Sequence, residues 1–216
     1  METVKTDFNN QQHGFLFKNS FDFPTLLHYY LPMNFPLPVA MGDVTYGLCG
    51  GMCCAALDYF YTGKQLPSYT EVEDINLQLF LCLWNRQLDT LKPATIRKIF
   101  EWMLRDDKSL ARSMKPWESQ KVREGIDQGD PVILALIRSK GITGATNNHQ
   151  VLATGYDYDL GLQHMTIYIY DPNWPDEEPE LAIDLSTPGQ GINIEHSKDG
   201  SQRGFFKIDY KQETPP

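Results

Sequence analysis

The run Val132-Ile133-Leu134-Ala135-Leu136-Ile137 is apolar at every position and bounded by turn signals. An alternating strand has one wet face; a continuous short run has none, so this segment predicts a central strand buried on both faces. Such a strand needs paired neighbours, and the sequence after it supplies them. His149–Tyr156 and Met165–Asp171 are β-rich, and Leu181–Leu185 and Gly204–Tyr210 read as further strands. The sequence before it has helical spacing. Helices first and an antiparallel sheet second predict an α+β domain.

The first helix is announced by Tyr46-Gly47-Leu48-Cys49-Gly50-Gly51-Met52. Met52, Ala55, Ala56, Tyr59 and Phe60 repeat with helical spacing, and Gly63 closes the segment as a C′ residue. Gly47, Gly50 and Gly51 allow a sharp turn and a close approach by another molecule. Cys49 therefore falls at a helix N-terminus, where free N–H groups and the helix dipole favour an anion. A thiol placed there is acidified, and the thiolate is the nucleophile. The alternative is that Cys49 is merely one more packed cysteine.

Between the cysteine helix and the central strand, Thr70-Glu71-Val72-Glu73 predicts a cap and first turn, with Leu77, Phe80, Leu81 and Trp84 as an apolar stripe. Pro93 predicts a helix start with Ile96, Ile99, Phe100 and Met103 inward. Residues 106–115 read as a charged loop. Trp117, Val122 and Ile126 predict another amphipathic helix, closed by Gly129 and Asp130-Pro131. At the other end, residues 1–13 are polar and predict a frayed or disordered terminus. Phe15, Phe17 and Phe21 suggest a short strand, and Pro24, Pro32, Pro36 and Pro38 an extended segment leading to Cys49. One domain over 14–212, with a helical insertion at about 66–129, is the expected organisation.

The net charge is −9 with no basic cluster, which argues against nucleic acid or an anionic membrane as partner. There is no signal-like N-terminus and no apolar run of membrane-spanning length. Three of the four cysteines, Cys49, Cys53 and Cys54, crowd onto one helix, a poor disulfide framework beside Cys82. A reduced, cytoplasmic protein is the expectation.

The chemistry-bearing residues come together if the strands around Asp159-Leu160-Gly161 form a hairpin. With Leu160 as its centre, opposed residue numbers sum to 320, as His149 and Asp171 do. A bulge at Gly161 would shift this register by one. Cysteine, histidine and acid then supply nucleophile, base and orienter, and the Cys49 N–H an oxyanion donor. Asn173 is an alternative orienter, His164 a rival base, and Trp174 a wall of the cleft. The other histidines, His13, His28 and His196, read as surface or structural residues. Zinc on Cys49, Cys53, Cys54 and His149 lacks the usual knuckle spacing. The acidic run from Asp171 to Glu178 lacks a calcium-loop pattern. No metal or cofactor is expected.

Leu48-Cys49-Gly50-Gly51-Met52, then Asn148-His149-Gln150-Val151-Leu152 with Gly155-Tyr156, then Tyr170-Asp171-Pro172-Asn173, resembles the papain-like cysteine peptidases. The likeness is nearest to the branch holding the peptidase domains of bacteriocin-exporting transporters. It implies a papain-like α+β fold, a Cys49–His149–Asp171 triad, a peptide or protein substrate and no cofactor. Gly47, Gly50, Asn148, Gln150, Asn173 and Trp174 then fall around the oxyanion site and cleft. The glutamine such enzymes place shortly before the nucleophile is absent; Asp43 and Tyr46 occupy that neighbourhood, and Asn19 or Asn34 are the upstream candidates. An inactive binding module of the same fold and an acyl transferase of transglutaminase type are the competing implications.

Overall fold

A computed structural model describes residues 2–21, 47–187, 191 and 194–216. It is α+β, with helices in the N-terminal half and a curled antiparallel sheet following. The proline-rich segment, with His28 and Asn34, lies outside the described residues.

The strands are β1 (Glu2–Lys5), β2 (Val132–Ile137), β3 (His149–Asp159), β4 (His164–Tyr170), β5 (Glu180–Asp184), β6 (Ile194–His196), β7 (Gly200–Gln202) and β8 (Gly204–Lys207). Their order is β7-β6-β5-β4-β3-β2-β8, every pair antiparallel, and β1 joins β3 beside β2. The long β3 shares one edge between two partners: residues 149–153 pair with β2, and 155–158 with β1. All six residues of β2 are buried, as its unbroken apolar composition predicts. The expected frayed terminus is instead this β1 strand, followed by the short α1 (Asn10–His13), whose cap Asn9 accepts from the N–H groups of Gln11 and Gln12.

The cysteine helix α2 (Cys49–Thr62) is buried from Cys49 to Tyr59, on every side rather than along one stripe. It packs between α3 (Leu77–Thr90) and the start of β3. Gly63 ends it at φ +65°, the left-handed conformation glycine accepts at least cost. The cap of α3 is Asn76, which accepts from the Leu79 N–H at 2.8 Å; the expected cap at Thr70 gives way to a 3₁₀ turn over Val72–Asp74.

Pro93 does open α4 (Pro93–Leu104), but Ile96 and Phe100 face outward at 40% and 39% exposure. The helix carries two apolar stripes, and the sheet takes the one with Trp102 and Met103 because Trp102 stacks edge-on against Phe206 of β8. The charged stretch after it is a helix, not a loop: α5 (Asp107–Ser113), capped by Asp106, buries Leu110 and Ala111. A π-helical turn (Met114–Glu118) leads into α6 (Ser119–Asp127) and turns Trp117 outward, 64% exposed. Phe15, Phe17 and Phe21 are fully buried, but no strand runs through them and Phe21 makes a single β-bridge; Phe15 packs against Phe17 and Tyr59.

The last residues are strapped to the same helix. Asp58 of α2 pairs with Arg86 of α3 at 2.8 Å and accepts from Tyr210 Oη and the Glu213 N–H. Lys64 donates to the Pro215 carbonyl at 2.7 Å. These contacts close the molecule at the end of α2 remote from Cys49.

Candidate active site

Cys49 is the first residue of α2, His149 the first of β3, and Asp171 the residue after β4. The fold brings all three together. His149 Nε2 donates to Asp171 Oδ1 at 2.6 Å, which leaves Nδ1 as the ring atom that meets the Cys49 thiol. Cys49 is 8% exposed, His149 5% and Asp171 fully buried.

The strand register behind this meeting differs from the expected one. From Gly155↔Tyr168 to Asp159↔His164 opposed numbers sum to 323, and beyond a bulge at Thr154 the pair Leu152↔Tyr170 sums to 322. The same register continued by one residue sets Asp171 opposite Val151, which makes His149 and Asp171 diagonal neighbours, a spacing long side chains still bridge. The bulge is at Thr154 rather than Gly161, where β1 presses on the strand: a Cβ on Gly155 would lie 2.9 Å from the Val4 carbonyl oxygen.

Electrostatics single out one thiol. Burial alone would raise Cys49, yet the adjacent His149 charge, its hydrogen bond and the N–H groups of Gln150 and Gly50 bring it below the ordinary thiol value. Burial opposes charging His149, but Asp171 and Cys49 together push its pKa up to about 10. Burial likewise opposes the Asp171 carboxylate, and the His149 charge, the bonds from both His149 and His196 and the Asn173 N–H hold it far below the usual range. The other cysteines move the opposite way. Burial pushes Cys53 well up, Cys54 to about 12 and Cys82 to about 11.

The glycines around the thiol make room for this chain's own side chains, not for a visitor. A Cβ on Gly50 would lie 2.2 Å from Gln150 Oε1 and 2.5 Å from Thr90 Oγ1; one on Gly47 would lie 2.5 Å from Asn19 Nδ2. Asn19 Oδ1 accepts from the Leu48 N–H at 2.6 Å and its Nδ2 donates to Asn173 Oδ1 at 3.0 Å. Of the two upstream asparagines, Asn19 thus braces the peptide just before the nucleophile. Gln87 Oε1 accepts from the Gly51 N–H at 2.9 Å, satisfying one of the free donors at the helix start.

Asn148 is a loop staple: its Oδ1 accepts from the N–H groups of Arg138 and Ser139 and so presents His149. Asn173 gives its N–H to Asp171 Oδ1 at 2.8 Å, and Asp171, not Asn173, contacts the imidazole. Trp174 is half-buried with Lys18 and Lys198 over its ring. His164 lies at the far end of the β3–β4 hairpin, paired with Asp184 at 3.6 Å, and has no place at the site.

One buried residue was not legible as part of this group. His196, 2% exposed, donates from Nε2 to Asp171 Oδ2 at 3.0 Å. No sequence spacing links it to Asp171; the turn signature Asp199-Gly200 just after it is the one local hint. Asp171, His196 and Asp199 carry donor atoms within 4.8 Å of one another, the geometry a cation site would need. Here Asp171 is already engaged by two imidazoles and Asp199 by Arg138 at 2.9 Å, so the trio is a hydrogen-bonded chain.

No family model matches the chain, and neither a curated protein nor a solved structure matches it. Among the described residues no helix is long and apolar enough to cross a membrane.

Proposed function

We propose that this protein is a cysteine hydrolase of papain-like type that cleaves a peptide or amide bond in a peptide or protein substrate through an acyl-enzyme. The observation that carries the reading is that Cys49 alone of four cysteines is acidified, and by the same imidazole that Asp171 holds. The site is Cys49, His149 and Asp171.

The roles follow from proton positions. Cys49 Sγ, as thiolate, forms a bond to the substrate carbonyl carbon, and the carbonyl π pair moves onto oxygen. The Cys49 N–H at the helix start faces that developing charge. His149 Nδ1–H protonates the leaving amine as the C–N bond breaks and a thioester remains. The neutral imidazole then takes a proton from water, whose oxygen attacks the thioester; the acid leaves and the thiolate–imidazolium pair returns. Asp171 keeps Nε2–H engaged throughout, fixing the tautomer and stabilising the cation.

A second reading is a module of the same fold that binds a partner without turnover. The missing upstream glutamine and the low exposure of Cys49 and His149 favour it.

Iodoacetamide labelling across pH 5 to 9, resolved by peptide mass spectrometry, tests the first reading. Cys49 is expected to label fast well below pH 8 while Cys53, Cys54 and Cys82 do not, and His149→Ala is expected to abolish the difference. Equal labelling of Cys49 and its neighbours removes the nucleophile and leaves the binding module. Where the labelling holds, peptide turnover lost in a folded Cys49→Ala variant separates an enzyme from a binder.

A further inference from the structure

Asp171 has two carboxylate oxygens, and the triad uses one. Oδ1 accepts from His149 Nε2 and from the Asn173 N–H. Oδ2 is equally buried, and a bare buried carboxylate oxygen would cost free energy and leave the group free to rotate. His196 Nε2 fills that place at 3.0 Å. β5 lies between β4 and β6 in the sheet, so the two residues meet where their strands end.

The other ring nitrogen decides what His196 is. Its Nδ1 accepts from the N–H groups of Lys198 and Asp199, each at 3.1 Å. Two N–H donors aimed at one nitrogen leave no room for a hydrogen on it. The ring hydrogen is therefore on Nε2, directed at Asp171, and the ring is neutral. A charged His196 would compete with His149 for the same anion; a neutral one orients the carboxylate and leaves its charge to His149.

The turn that sets this tautomer is itself pinned to the loop that presents His149. Asp199 pairs with Arg138 Nη2 at 2.9 Å, and Arg138 Nε donates to Gln202 Oε1 at 2.9 Å. The Arg138 N–H reaches Asn148, the residue before His149. Gly200 makes the turn possible at φ +68°. The charged groups set around the ring are Asp171 with the His149 imidazolium beyond it and, on the turn side, the Asp199–Arg138 pair and Lys198, whose side chain pairs with Glu177.

We infer that His196 is a positioning residue: a neutral imidazole, fixed as the Nε2–H tautomer by the β6–β7 turn, that clamps Asp171 so its other oxygen faces His149. The site is then a four-member chain, Cys49–His149–Asp171–His196, in which the last member touches no substrate. This inference rests on the proposed thiolate–imidazolium reading of Cys49 and His149.

Two substitutions separate positioning from mere support of the turn. An asparagine oxygen takes the place of Nδ1 and keeps the turn N–H groups satisfied, but it does not reach Asp171. A glutamine nitrogen takes the place of Nε2 and keeps the bond to Asp171. The readout is the pH profile of Cys49 alkylation in the full chain, with thermal unfolding to confirm folding. His196→Asn is expected to fold and to move the acid limb of the profile upward by about one pH unit, a tenfold loss of labelling on that limb. His196→Gln is expected to keep the wild-type profile. A wild-type profile in His196→Asn, or the same upward shift in both variants, overturns the inference while Cys49 and His149 stand. A flat wild-type profile overturns the proposed function instead, and the inference with it. Imidazole ¹⁵N NMR of the wild-type protein at neutral pH is the check independent of any variant: a His196 ring protonated on Nδ1 overturns the inference.

Discussion

A Cβ placed on Gly51 would lie 2.1 Å from the backbone carbonyl oxygen of Leu83, so helices α2 and α3 approach more closely there than any residue but glycine permits. The same turn of helix carries Cys49. Its position relative to α3 is therefore set by backbone-to-backbone contact, not by adjustable side chains.

Gly51→Ala is accordingly expected to destabilise the protein by about 1–3 kcal/mol through overpacking, against an intrinsic helix gain of about 1 kcal/mol. It should also lower Cys49 labelling, because α2 must shift to admit the methyl. Urea unfolding and alkylation measured on the same variant check both. Gly125→Ala serves as a comparison: the nearest atom is a Val132 side-chain methyl, which yields more easily than a carbonyl.

The charges of the site set a pH window for stability. His149 is raised from 6.5 to about 10, so its contribution is full below pH 6.5 and is lost as pH rises through about 10. Cys49 is lowered from 9.0, so its contribution is full above pH 9.0 and is lost as pH falls through its depressed value. From the higher of 6.5 and the depressed Cys49 value up to 9.0, native and unfolded chains each hold one proton at this pair, and the two slopes cancel. The difference in unfolding free energy between wild type and Cys49→Ala/His149→Gln is expected to be flat there and to fall as pH rises from 9.0 through about 10. Urea titrations at closely spaced pH values check this; a steep slope inside the window would mean the native pair holds two protons or none.

Arg86 is 3% exposed; it pairs with Asp89 on its own helix and bridges α3 to Asp58 and the Lys211 carbonyl. Arg86→Met is expected to cost about 3–5 kcal/mol, because it strands the buried Asp58 charge. Arg86→Met with Asp58→Asn is expected to recover part of that loss. Chemical unfolding of the two variants measures it, and equal stability of both would show that the charge of Asp58 is not what the arginine compensates. Cys49 labelling should be little changed, since these residues lie at the far side of α2.

The parts of the site that could be read before folding are those whose signal is local. A glycine turn before a helical stripe located Cys49 at a helix start, and a β-rich run placed His149 at the head of a strand. The fold brings them together with Asp171, but in another register: the hairpin is offset by two to three from the symmetric arrangement, and a diagonal contact replaces the direct one. Hairpin register depends on where the bulge falls, and that is set at Thr154 by β1, a strand from the other end of the chain. In α4 the expected set Ile96, Ile99, Phe100 and Met103 and the observed set Ile99, Trp102 and Met103 both have helical spacing, so periodicity could not choose between Ile96–Phe100 and Trp102.

By itself, then, the sequence determined the segments and their chemistry: helices before strands, a buried central β2, a cysteine at a helix N-terminus, a histidine and an acid on neighbouring strands. Propensity and periodicity act over a few residues and leave their mark in composition. The tertiary structure alone decided that Glu2–Lys5 join β3, that the C-terminal residues strap α2, and that His196 closes on Asp171. Each of these joins residues distant in sequence through the curl of the sheet, and a single buried imidazole carries no periodic signal of the partner it will meet.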